Sequence, residues 1–167
     1  MDIDAPVIFT IGHSSATFDR FASLLREYDV DAVVDVRSQP ASRFAPQFNR
    51  RALAALLRGA GVRYAFMGDV LGGRPGHPQY YDEHGRVLYG PWSKSEPFVA
   101  GLATLGRAAR MHRIALMCSE ESPLQCHRHL LIARALINGG WPRSGIVHIR
   151  GDGLCTPEES ITVQAGP

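Results

Sequence analysis

The 167-residue sequence is 45% hydrophobic and 20% charged, with 11 prolines and 17 glycines, values that exclude a wholly disordered, collagen-like or disulfide-scaffold chain. A chain of this length suits one domain that buries roughly two thirds of the surface its unfolded state exposes. The formal net charge of +2 demands neither nucleic acid nor an anionic membrane, yet 17 of the 18 basic residues are arginine and only Lys94 is lysine. The simplest explanation of their number would be a coding bias across a whole genome. Their placement is more informative, because the planar guanidinium fork matches phosphate and carboxylate.

In chain order, Val7 to Ile11 is a short apolar run ending at Gly12, as a buried strand would. Ser14, Ser15 and Thr17 are helix-capping types, and Phe18, Phe21, Ala22, Leu25 and Tyr28 follow at helical spacing. Ala32 to Val36 reads as a second strand. Asn49 is placed to cap a helix over residues 50–58, with Leu53, Leu56 and Leu57 inward. Arg63 to Met67 is a third strand. Residues 68–95 carry glycines and prolines with little periodicity, the profile of a lid or a packed surface loop. Ser95, Glu96 and Pro97 open a helix bearing Phe98, Leu102, Leu105 and Ala109. Ile114 to Met117 is a fourth strand, residues 126–138 a helix stopped by Gly139 and Gly140, and Ile146 to Ile149 a fifth strand.

Strands alternating with helices predict an α/β fold: a single-domain three-layer sandwich with a mostly parallel sheet of about five strands, Rossmann-like and doubly wound. Continuous apolar strands fit burial on both faces. The domain is expected over residues 1–153, with 154–167 a polar and partly loose C-terminal tail. The start of the chain does not resemble a secretory signal, and no apolar run approaches the ~18 residues of a membrane span. Cys118, Cys126 and Cys155 are an odd set fitting no disulfide framework, so reduced thiols in the cytoplasm are expected.

Ligands of such sheets bind beyond the carboxyl ends of the strands. Those positions hold Gly12, His13 and Ser14; Arg37, Ser38 and Arg43; Gly68, Asp69, Gly72, Gly73 and Arg74; Cys118, Ser119, Glu120, Cys126, His127 and Arg128; and His148, Arg150 and Gly151. A sheet without a site needs no such convergence. Cys126, at an expected helix start beside His127 and Arg128, has the surroundings that favour thiolate, making it either a nucleophile or redox thiol or a small packing residue. Cys118 ends a buried strand and reads more simply as packing. Counting from Cys118, the arginine of a cysteine-phosphatase loop would fall on Leu124, so that match fails. Arg37, Arg43, Arg74 and Arg128 either clamp an anion together or pair separately with Asp35, Asp69 or Glu120.

Cys118, Cys126, His127 and His13 are metal-ligand types, but neither a C-x-x-C pair nor HExxH is present, so the site is expected without a metal and its cofactor is left open. GxGxxG and P-loop sequences are absent, which disfavours the standard nucleotide folds. His77, His84, His112 and His129 have no evident partners and are expected at the surface.

Thr10-Ile11-Gly12-His13-Ser14, Asp35-Val36-Arg37-Ser38-Gln39-Pro40 with Ser42-Arg43, Phe48-Asn49, Leu71-Gly72-Gly73-Arg74-Pro75, and Met117-Cys118-Ser119-Glu120 leading to Cys126-His127-Arg128 form five separated motifs. Together they resemble the domain of unknown function 488 family of bacteria and archaea, over about residues 7–153. Ser119 departs from the alanine usual there. The resemblance implies a stand-alone α/β domain and supports the location of the site, while leaving the chemistry open.

The leading expectation is a cytoplasmic enzyme, of the hydrolase or transferase class, acting on a small anionic substrate that is phosphorylated or nucleotide-like. The catalytic residues would be His13, Glu120, Cys126 and His127, with His13 or His127 the general acid/base and Cys126, with Glu120 nearby, a nucleophile or proton-handling partner. Ser14, Arg37, Arg43, Gly72, Gly73, Arg74, Cys118 and Arg128 would bind substrate. Alternatives are a non-catalytic nucleotide or nucleic-acid binding module, for which the low net charge is unfavourable, and a metal-binding redox protein using Cys118, Cys126 and histidine.

Overall fold

The computed structural model describes residues 6–164. Six strands form one sheet: β1 (Ile8–Gly12), β2 (Ala32–Asp35), β3 (Arg63–Phe66), β4 (Ile114–Cys118), β5 (Ile146–Ile149) and β6 (Cys155–Pro157). Their order is β3-β2-β4-β1-β5-β6; the first five are parallel and β6 runs antiparallel on the edge. The expected three-layer α/β sandwich is therefore present, with one strand more than the periodicity showed.

Both faces of the sheet are apolar because alternate residues of each strand point opposite ways. On one face Phe9, Ile11, Val33, Ala115 and Met117 meet Phe21, Leu24 and Leu25 of α1 (Phe18–Glu27) and Leu53 and Leu57 of α2 (Arg50–Gly59). On the other, Ile8, Val34, Ile114, Leu116 and Ile146 meet helices from later in the chain. The 68–95 segment contributes α3 (Gly68–Leu71) and α4 (Tyr89–Ser93), and is followed by α5 (Glu96–Met111). After β4 a π-helical turn (Arg128–Ala133) runs into α6 (Arg134–Asn138). Each fully buried leucine or phenylalanine contributes roughly 1.5–3 kcal/mol.

Helix starts follow local chemistry where a hydroxyl is free to cap. Thr17 Oγ1 accepts from the Arg20 amide at 3.1 Å and Ser95 Oγ from the Phe98 amide at 3.3 Å. Asn49 does not cap α2. Its Oδ1 accepts from the Ser42 amide at 2.7 Å, so the side chain pins the loop after β2. The 68–95 segment is a packed loop: Trp92 is buried and donates its indole N–H to the Gly72 carbonyl at 3.0 Å.

The C-terminal segment, expected to be polar and loose, carries β6 and α7 (Glu158–Gln164). β6 pairs with β5, Ile161 is buried, and one acidic residue fastens the helix to the sheet. Glu158 is buried, and its carboxylate accepts from His129 Nδ1 at 2.6 Å and His148 Nε2 at 2.5 Å. His129 is accordingly buried instead of lying at the surface, and His148 sits inside β5 and not beyond it. His77 and His84 are exposed, as expected.

The connection leaving β1 crosses to β2 over the α1 face, while that leaving β4 crosses to β5 over the opposite face. Uniformly right-handed crossovers require this. β2 leads outward to β3 over the α1 face, while the adjacent β4 leads the other way over the opposite face. The connections therefore diverge, and the sheet has its switch point, at the carboxyl ends of β2 and β4.

Candidate functional site

The carboxyl ends of β1 and β4 are closed against each other. The β1–β4 ladder continues past the strand ends, with the His13 amide on the Cys118 carbonyl at 2.9 Å and the Ser14 amide on the Ser119 carbonyl at 2.8 Å. A Cβ on Gly12 would collide with the Glu120 backbone, and Ser14 takes a left-handed φ of 47° to make the turn. The open space lies on the other side of β4, at the β2–β4 switch point. A cavity of about 410 Å³ lies between the loops after β2 and β4 and the Gly73–Arg74 turn, lined by Arg37, Ser38, Gln39, Ala41, Gly73, Arg74, Tyr89, Cys118, Ser119, Glu120, Gln125 and His127. A larger concavity, about 610 Å³, lies at the start of β3 against Arg58, Arg63 and Tyr64. It holds no thiol, histidine or carboxylate, so the chemistry points to the smaller one.

Of the residues expected to form a site, Arg37, Gly73, Arg74, Cys118, Glu120 and His127 line this cavity. Ser14 and Arg43 are exposed and do not line it. Gly72 is buried behind the wall, where a Cβ would strike the Ser38 hydroxyl and the Gly68 carbonyl.

The four arginines do not close as one clamp. Arg37 is buried in a bidentate pair with Asp35, Nε to Oδ1 at 2.9 Å and Nη2 to Oδ2 at 2.8 Å, and Nη2 also reaches the Phe48 carbonyl at 2.8 Å. Tyr64 donates its hydroxyl to the same Asp35 carboxylate at 2.6 Å, and burial followed by that bond raises its pKa well above the usual phenol value. Arg37 Nη1 reaches His13 Nε2 at 3.3 Å. Since the guanidinium can only donate, His13 Nε2 accepts, and its Nδ1–H donates to the Ser14 carbonyl at 2.8 Å. Burial lowers the His13 pKa, and the ring stacks on Phe48 with centroids 4.5 Å apart. This neutral, doubly tied histidine positions Arg37 and has no ring nitrogen left for a substrate. Arg74 is the opposite case. Its backbone amide bonds Ser38 Oγ at 2.9 Å, while its exposed guanidinium has no ion-pair partner among the described residues.

Arg128 is fully buried and lies beneath the cavity instead of facing it. Nε donates to Cys126 Sγ at 3.2 Å, Nη1 to Thr10 Oγ1 at 3.2 Å, and Nη2 to the Glu120 carbonyl at 2.5 Å. Thr10, receiving that proton, donates its own to His148 Nδ1 at 2.7 Å, which leaves the His148 Nε2–H for Glu158. A buried polar chain thus joins Cys126 to α7. Arg150 is also spent, on the Glu121 carboxylate at 2.9 and 3.0 Å.

His127 donates Nε2–H to the Val36 carbonyl at 2.8 Å, which leaves the Nδ1 lone pair facing two sulfurs, Cys126 Sγ at 3.7 Å and Cys118 Sγ at 3.8 Å. The Cys118 thiol hydrogen-bonded to Cys126 holds the latter below the ordinary thiol range, with the Arg128 guanidinium adding to the effect against burial. Cys118 is pushed up by the same bond and by burial. Cys126 is buried and does not line the cavity, whereas Cys118 does. The helix after this segment begins at Arg128, and the His129 and Leu130 amides both turn to the Cys126 carbonyl, so they offer nothing to an anion.

Ser38, placed at a strand end by the sequence, also lines the cavity, as do Tyr89, Gln39 and Gln125, to which the sequence assigned no role. Burial, with Cys126, Cys118 and Glu120 nearby, raises the pKa of the Tyr89 phenol. Gln125 lies next to Cys126 and Gln39 next to Ser38, which is the signal that could have found them. Tyr89 reaches the wall by the fold of the 68–95 segment.

No helix among the described residues is long and apolar enough to cross a membrane. Comparison with curated proteins and with solved structures finds no match. The family model described as Domain of unknown function DUF488 matches residues 17–136, most of the chain, and the protein belongs to that family.

Proposed function

We propose that the protein is a cytoplasmic enzyme acting on a small anionic substrate, phosphorylated or nucleotide-like, bound in the cavity at the carboxyl ends of β2 and β4. The observation that carries this reading is the exposed guanidinium of Arg74, without an ion-pair partner among the described residues, facing the same cavity as Cys118 and His127. Arg74 and the remaining Nη1–H of Arg37 supply donors for an oxyanion. Glu120, on the cavity wall, supplies a titratable carboxylate, and Tyr89 a phenol O–H. His13 keeps a positioning role through Arg37, and Arg128 through Cys126.

The test is equilibrium binding of inorganic phosphate, nucleoside phosphates and sugar phosphates to the wild type and to Arg74→Ala. The variant is expected to bind roughly 10–100-fold more weakly, as loss of a charge-assisted hydrogen bond implies. Equal binding by both proteins, or none by either, overturns the reading. Binding with no turnover of any compound in the panel would leave a binding module and remove the enzyme.

A further inference from the structure

We propose that Cys118, Cys126 and His127 form a zinc site with its fourth position open to the cavity. The three ligand atoms lie within 4.8 Å of one another. Zn–S and Zn–N bonds of about 2.3 and about 2.05 Å at the tetrahedral angle set S···N edges of about 3.6 Å. The observed edges from His127 Nδ1 are 3.7 Å to Cys126 and 3.8 Å to Cys118. A Cys2His set of this size fits zinc by ligand softness as well as by geometry.

Three surrounding features match a ligand set. The Val36 carbonyl takes the Nε2 proton of His127, the outer-shell bond that fixes the tautomer of a metal-binding histidine and directs its other nitrogen inward. Arg128 donates Nε–H to Cys126 Sγ, an outer-shell bond that would orient a thiolate ligand and stabilise its charge. Cys118 and His127 line the cavity while Cys126 is buried behind them, so the fourth position opens towards Arg37 and Arg74.

Charge balance points the same way. A divalent ion, two thiolates and the Arg128 guanidinium sum to one positive charge, which a hydroxide or a substrate oxyanion at the fourth position neutralises. Binding the ion displaces the Cys118 proton, so uptake releases protons. The ion site stands on the two sulfurs and the imidazole. It relies on the anion-pocket reading only for the nature of the fourth ligand.

The second buried cluster, His129, His148 and Glu158, is a different case. Its carboxylate already receives both imidazoles at hydrogen-bond distance, which accounts for it as the fastening of α7.

The full chain, purified under reductant from zinc-supplemented medium, is expected to hold one zinc per chain by elemental analysis. After chelation, titration with Co2+ should give sulfur-to-cobalt charge-transfer absorption and the intense visible bands of a tetrahedral site. Cys118→Ser and His127→Gln should each weaken binding by more than about 100-fold, beyond the 10–100-fold that loss of an outer-shell partner brings. Cys155→Ser, which removes an exposed thiol, should bind as the wild type does. Wild-type metal content no higher than that of Cys118→Ser overturns the proposal, as does a cobalt spectrum without the sulfur band or a Cys118–Cys126 disulfide recovered under reductant. Phosphate binding is a separate readout. Cobalt uptake without anion binding removes the substrate class and keeps the ion site; anion binding without cobalt uptake does the reverse.

Discussion

Arg128 donates Nε–H to Cys126 Sγ over 3.2 Å, and among the described residues this sulfur is the one partner of the buried guanidinium that can carry a negative charge. Its other partners are the Thr10 hydroxyl and the backbone carbonyls of Glu120 and Glu121. A buried cation so dependent on its surroundings is costly to disturb. Arg128→Met should destabilise the fold by about 3–5 kcal/mol, the cost of breaking a buried charge pair, read from the midpoint of urea unfolding. Arg128→Lys should recover only part of this, because one ammonium cannot serve acceptors spread around a planar fork. An unchanged midpoint in Arg128→Met would show that the network carries no stability.

Glu158 joins the C-terminal helix to the sheet through two histidines. Glu158→Ala leaves His129 and His148 without that acceptor, and each orphaned group costs about 1–3 kcal/mol. Amide hydrogen exchange should accelerate first in β6 and α7, ahead of the central strands. Exchange that stays uniform across the sheet would show that the anchor lies elsewhere.

Gly12 lets the loops after β1 and β4 approach closely. In Gly12→Ala the new Cβ meets the Glu120 carbonyl, which is backbone and has little room to move. A loss of about 1–3 kcal/mol is expected from overpacking, together with weaker anion binding, since the same loop carries Cys118 and Glu120 to the cavity. A variant with the parent's melting temperature would contradict this.

The Glu121 carboxyl is held below its ordinary range, chiefly by the hydrogen bonds from Arg150 and also by the Gly151 amide, against burial. Its folded pKa lies below its unfolded value, so the stability it contributes is fully present above the unfolded carboxylate pKa and is lost as pH falls through the folded one. Glu121 is more than a third exposed, so solvent screening limits the contribution to roughly 1 kcal/mol or less. Stability of Glu121→Gln should show a shallower decline below about pH 4.5 than the wild type. Parallel curves for the two proteins would assign the acid transition to other groups.

The sequence by itself determined the alternation of strands and helices, because continuous apolar runs and amphipathic spacing are local properties that burial on two faces enforces. It also placed Cys118, His127, Arg74 and Glu120 at strand ends, since a parallel sheet presents its loops there. Which strand ends adjoin was decided only by the tertiary structure. The order β3-β2-β4-β1-β5-β6 brings Arg37 and Arg74 beside the β4 loop and leaves Arg43 in solvent. Partnerships of charged groups were equally invisible, because hydrogen bonds such as Thr10–His148 span 138 residues. Whether an arginine clamps a ligand or is spent on a buried acceptor depends on distances that no local pattern encodes. The arginine excess thus separates by fold: Arg128 and Arg150 are spent on Cys126 and Glu121, Arg37 is held by Asp35 at the cavity wall, and Arg74 presents an exposed guanidinium there.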